Sequence, residues 1–153
     1  MAITPDLRKE KLINQVRIYL SDFPYYNRLI GSEENEKETI ELSIDMSVDR
    51  FNLAETPTTG FDLTNFPSLV ILIYGSVIEL LQMKGILYSR NRLNYSDGGI
   101  QVAINDKAGE YMQWARAMQQ TYDRLVIDKK KELNAAAAWG GIPSEYATVD
   151  YWY

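Results

Sequence analysis

The chain has neither cysteine nor histidine. Without cysteine there is no disulfide framework and no thiolate chemistry. Without histidine the commonest general base and the commonest metal ligand are gone, and with them every Ser-His or Cys-His nucleophile pair. Long hydrophobic runs are also scarce. The most apolar stretch, residues 69–78, is followed at once by Glu79 and is about half the ~20 residues a spanning helix needs. It is expected to be a buried core helix, with no membrane as partner. The opening Met-Ala-Ile-Thr-Pro-Asp has no basic region followed by an apolar run, so no signal peptide is expected. Positive charge is in deficit: Lys and Arg number 16 against 21 Asp and Glu, a net charge of -5. Such a chain does not wrap nucleic acid through counterion release. Its sign would instead suit a passage through which DNA slides without sticking.

What is present is an ordinary globular balance. The 153 residues are 46% apolar and 24% charged, enough for one domain with a real core and not the composition of a disordered chain. Thr4 can cap a first helix, Pro5 suits its first position, and Asp6 and Glu10 lie near its positive end. Leu7, Leu12, Val16, Tyr19 and Leu20 form its stripe, with Ile13 beside it, and Phe23-Pro24 is expected to end it. Residues 27–35 read as a loop centred on Gly31-Ser32.

Residues 36–53 carry two patterns at once. Ile40, Leu42, Ile44, Met46 and Val48 alternate like a strand, whereas Ile40, Ile44, Val48 and Phe51 recur at four, four and three like a helix. About 18 residues without Gly or Pro is long for a strand, so a helix is predicted, with Glu41, Asp45 and Asp49 sharing its wet face. A Thr/Pro loop follows to residue 65, and Pro67 is expected to open a nearly all-apolar helix over 68–88. Gly75 and Gly85 inside it point to close helix approach or a local end.

Asn94-Tyr95-Ser96-Asp97-Gly98-Gly99 is the strongest turn signal, and Ile100, Val102 and Ile104 alternate behind it. Asn105 or Asp106 can cap a last helix running to about Ala138. Its predicted apolar face is Tyr111, Trp114, Ala115, Met118, Tyr122, Leu125 and Val126, with Lys129, Lys130 and Lys131 near its negative end as a solvated run or a contact for DNA or an acidic partner. Gly140-Gly141-Ile142-Pro143 should stop it. The expected fold is therefore all-α: about four helices, a long C-terminal helix, a short β excursion near 100–104 and an extended C-terminal arm. Residues 1–141 would be the helical domain and 142–153 the aromatic arm.

Glu41, Asp45 and Asp49 could line an acidic channel or simply be solvated. Carboxylates every four residues lack the ligand density of a calcium loop, and nothing near them supplies a nucleophile or an oxyanion site. Asp97-Gly98-Gly99 is a turn in any case and could also touch a neighbouring subunit; no Gly-Lys-Ser/Thr follows, so it is not a phosphate cradle. The arm carries Tyr146, Val149, Tyr151, Trp152 and Tyr153 on a segment too short for a core of its own. Large rings there would be an apolar liability in water. They either fold back or dock on a partner, where aromatics are favoured anchors. No enzyme, cofactor or metal site is predicted.

Three stretches together resemble the head-tail connector (adaptor, or neck) proteins of tailed bacteriophages. One is Leu42-Ser43-Ile44-Asp45-Met46-Ser47-Val48-Asp49-Arg50-Phe51-Asn52, leading into Thr56-Pro57-Thr58-Thr59. The second is Tyr95-Ser96-Asp97-Gly98-Gly99, just after an apolar helix closed by Arg90-Asn91-Arg92. The third is the long closing helix with its arm. The resemblance implies a dodecameric homo-oligomeric ring beneath the portal protein, in the neck of a virion assembled in the host cytoplasm. It places Tyr95, Asp97, Gly98 and Gly99 between subunits, and the arm on the portal. The other face would receive the next neck or tail protein, and double-stranded DNA would pass without specific binding. The rival expectations are another neck or tail component, such as a tail-completion or terminator protein, for which a clear sheet would speak, and a non-viral helical scaffold that binds one partner through its tail.

Overall fold

The computed structural model describes residues 5–28, 31–54, 60–91, 95–97, 100–102 and 107–139. The chain is an all-α assembly of four helices: α1 (Pro5–Leu20), α2 (Lys37–Leu53), α3 (Leu69–Arg90) and α4 (Lys107–Trp139). Between α3 and α4, β1 (Tyr95–Asp97) pairs antiparallel with β2 (Ile100–Val102), Ser96 opposite Gln101. Three residues a strand form no layer. Residues 103–104 and the arm, 142–153, lie outside the described residues.

α1 begins at Pro5, whose fixed φ and missing N–H suit a first turn. It buries Leu12, Ile13 and Val16, so Ile13 belongs to the stripe itself, while Tyr19 is half exposed with its ring edge against Tyr74. The helix ends at Leu20, before Phe23-Pro24. Ser21 takes the left-handed conformation (φ 54°), and the Asp22 N–H reaches back to the Arg17 carbonyl at 2.9 Å. That reversal closes the helix without proline.

In α2 the helical period prevails. Ile40, Ile44, Val48 and Phe51 are buried, with Ser43 and Ser47 between them, and Leu42 and Met46 face outward. Phe51 packs on Phe61 and Phe66. α3 is opened by Ser68, whose side chain accepts from the Ile71 N–H, so Pro67 precedes the cap instead of starting the helix. α3 is the central helix, packed against α4 and α2 and, less extensively, α1. By length and composition alone its 22 residues could cross a membrane, a longer apolar span than 69–78 indicated. Here 56% of its most apolar window is buried within the fold, and Glu79 lies inside the bundle.

Both helix glycines mark close approaches. A Cβ on Gly75 would press on Ser47 Oγ and lie 3.0 Å from both Ser47 Cβ and Tyr122 Cε2; one on Gly85 would lie 2.8 Å from Met112 Sδ. At Gly75 three helices meet with no room for a methyl group. α4 has 33 residues, so at ~1.5 Å per residue it is about 50 Å long. It buries Ala108, Ala115, Tyr122 and Val126, and Leu133 packs against the core further along. Trp114 departs from the expected apolar face: it is 54% exposed. It falls on the flank of the stripe, its ring nearly perpendicular to the Tyr111 ring at 5.8 Å between centres.

Candidate interaction surfaces

The predicted acids lie on α2 as expected but not as a bare cluster. Lys9 of α1 holds Asp45 at 3.1 Å and approaches Glu41 at 4.0 Å, and Lys37 lies 3.9 Å from Glu41. These acids therefore join α1 to α2 as well as facing water. Among the described residues no group of three His, Cys, Asp or Glu could hold a metal ion. Asp49 belongs to a different line. Leu42, Met46, Asp49 and Leu53, spaced four, three and four, form the outermost ridge of α2, and the three apolar members are 53%, 39% and 84% exposed. None of the three belongs to the buried core of the described residues.

Behind α2 lies a polar spine that periodicity does not show. Arg50 donates to Glu79 at 2.8 Å and to Gln119 at 2.7 Å, and its guanidinium sits 5.4 Å from the centre of the Tyr122 ring. One arginine thus ties α2 to α3 and α4 and neutralises a carboxylate inside the bundle. Burial pushes the Tyr122 phenol up to about 12, with the positive Arg50 acting in the opposite sense. The lysine run does not behave as a unit. Lys129 pairs with Glu132 at 2.7 Å and Lys131 is exposed, but Lys130 is fully buried, its ammonium 4.8 Å from the centre of the Phe51 ring. Burial lowers its pKa from 10.5. The signal was available: Lys130 continues the Tyr122, Val126 line at a spacing of four.

The loop from 21 to 36 is organised by Asp22, which no motif singled out. Its carboxylate accepts from the backbone N–H groups of Glu34 and Asn35 and from the side-chain amides of Asn27 and Asn35. Burial alone would raise its pKa, but these donors together hold it below 3.8. Arg17 adds an ion pair to Glu33 at 2.7 Å. Glu34 then fastens the loop to the bundle: its carboxylate accepts from Tyr111 at 2.7 Å and Tyr88 at 3.3 Å, and its carbonyl accepts from Lys84. Burial, reinforced by the Glu34 charge, raises the Tyr111 pKa. Beside this clasp opens a cavity of about 490 Å³, with Tyr19, Leu81, Trp114 and Met118 among its walls. Its chemistry is that of a latch, with phenols held protonated against one carboxylate.

Of the remaining predicted residues, Tyr95 and Asp97 form the ends of β1, opposite Val102 and Ile100. Gly98 and Gly99, and Tyr146, Val149, Tyr151, Trp152 and Tyr153, lie outside the described residues. The architecture defines an all-α, four-helix chain with a ridge of large apolar residues turned outward. No protein-family model, curated protein or solved structure matches it.

Proposed function

We propose that this chain is a structural head-tail connector adaptor of a tailed bacteriophage virion, forming a ring under the portal and continuing the DNA channel into the neck. The observation that carries the reading is the outward ridge Leu42, Met46, Leu53, which lies outside the buried core of the described residues. Large apolar groups aligned on one outer face are what a subunit needs when another copy covers it. The order of elements supports the same reading: a helix bearing the Leu42–Asn52 stretch, an apolar central helix, and a closing helix about 50 Å long. The net charge of -5 suits a passage for DNA. In this reading the arm, with Tyr146, Val149, Tyr151, Trp152 and Tyr153, pins the ring to the portal, and many weak arm contacts add through multivalency. A tail-completion or terminator protein would call for a sheet layer, which two three-residue strands do not make.

The test is co-sedimentation with the portal from the same genome, the full-length chain beside a chain ending at Gly141. The proposal expects the full-length chain to assemble on the portal and the shortened one to stay in the supernatant. If neither sediments with the portal, the adaptor reading is wrong.

A further inference from the structure

The α2 ridge has a counterpart of opposite sign on α4. Leu42, Met46, Asp49 and Leu53 are flanked by exposed Glu38 and by Asp45, which is shared with Lys9. On α4 the exposed residues Arg116, Gln120, Arg124, Ile127 and Lys131 follow one another at four, four, three and four, a single outer line at helical period. Ile127 on that line is 50% exposed. Asp123 at its edge is engaged by Gln119, and Asp128 and Glu132 stand on the other flank, toward Trp114. The two ridges are of similar reach: eleven residues separate Leu42 from Leu53 and fifteen separate Arg116 from Lys131, about 16 and 22 Å at ~1.5 Å per residue.

We infer that copies of this chain associate head to tail, the acidic, apolar ridge of α2 on one copy lying along the basic ridge of α4 on the next. This rests on the ring reading above and names the surface that closes it. Within one subunit the ridges cannot meet. α2 turns Ile40, Ile44, Val48 and Phe51 to the core, α4 turns Ala115, Tyr122 and Val126 there, and each ridge points the other way. A two-fold contact of α2 with α2 would bring the acids of Glu38, Asp45 and Asp49 near their own copies, and a contact of α4 with α4 would do the same for three cations. Only the crossed pairing matches sign, and a crossed contact is the heterologous kind that generates rings. Exposed ion pairs add little affinity but fix partner and register. Leu42, Met46, Leu53 and Ile127 supply the apolar area.

Because the chain has no cysteine, introduced thiols report without background. Leu42→Cys and Ile127→Cys variants are treated with a short bis-maleimide, alone and mixed, at high concentration and on the portal. The mixture is expected to give a cross-linked dimer that neither variant gives alone. Asp49→Lys and Arg124→Glu should each weaken self-association at least tenfold by analytical ultracentrifugation, and the double variant should regain most of it. Circular dichroism verifies that each variant is folded. Efficient linking of Leu42→Cys to itself, charge reversals without effect, or no self-association in either setting would overturn the inference. Portal binding without the α2–α4 link refutes this contact alone, and the link without portal binding refutes the neck reading alone.

Discussion

The inward and outward faces of α2 carry almost the same kind of residue and do opposite things. Inward, Ile40, Ile44, Val48 and Phe51 are shut away from water; outward, Leu42, Met46 and Leu53 stand in it. Hydrophobicity alone does not separate the two sets, because both are large and aliphatic or aromatic. What separates them is what lies opposite. The inner face meets Gly75 of α3, Phe61 and Phe66, and Lys130 of α4, whereas among the described residues the outer one is left exposed. The inner residues are therefore expected to govern folding and the outer ones association, and substitutions should divide along that line.

Phe51→Ala should have the largest effect. It empties a site surrounded by Phe61, Phe66 and Lys130 and is expected to lose about 4 kcal/mol in urea unfolding. Gly75→Ala should cost about 2 to 3 kcal/mol, since the new methyl group has no room between Ser47 and Tyr122. Ser47→Gly in the same chain should recover part of it, read as a double-mutant cycle. Arg50→Met should cost about 2 kcal/mol by leaving Glu79 in the bundle without its cation, a loss moderated because Arg50 is itself a third exposed. Leu53→Ser should change unfolding by no more than about 0.5 kcal/mol while reducing self-association. A stability loss like that of Phe51→Ala would erase the distinction between the faces.

Acid tests a third region, the loop on Asp22. Its folded pKa lies below its ordinary 3.8, so the folded state binds the proton less readily than the unfolded chain. The stabilisation is complete above 3.8 and is lost as pH falls below that value through the folded pKa. Asp22→Ala should cost about 1 to 2 kcal/mol near neutrality, and the gap to the parent chain should close as the buffer is taken toward pH 2.

Periodicity made the helices legible because a buried stripe repeats along the chain. The spacing of Ile40, Ile44, Val48 and Phe51 was enough to choose helix over strand, and Gly75 pointed to a close approach. The boundaries are less so: Ser21 and Ser68 set the ends to which Pro24 and Pro67 point. The polar devices were not legible at all. Glu34 meets Tyr111 across 77 residues and Arg50 meets Gln119 across 69, and a pairing at such separation leaves no local pattern. Lys130 was misplaced because its neighbours Lys129 and Lys131 made it look like one of a solvated set. Trp114 was misplaced because a large ring near an apolar stripe reads as core even when it sits on the flank. The outward ridge is visible only once the structure shows which face of α2 is buried.

The final turn and a half of α4 has a geometric consequence. Past Leu133 the helix continues through Ala135, Ala136, Ala137 and Ala138, all exposed, to Trp139. Alanine is the strongest helix former and adds almost no girth, so these residues make a thin, stiff mast. The described chain therefore ends at a point set by the axis of α4. In any closed ring of such subunits the tips fall on one circle at one height, its radius set by the tilt of α4.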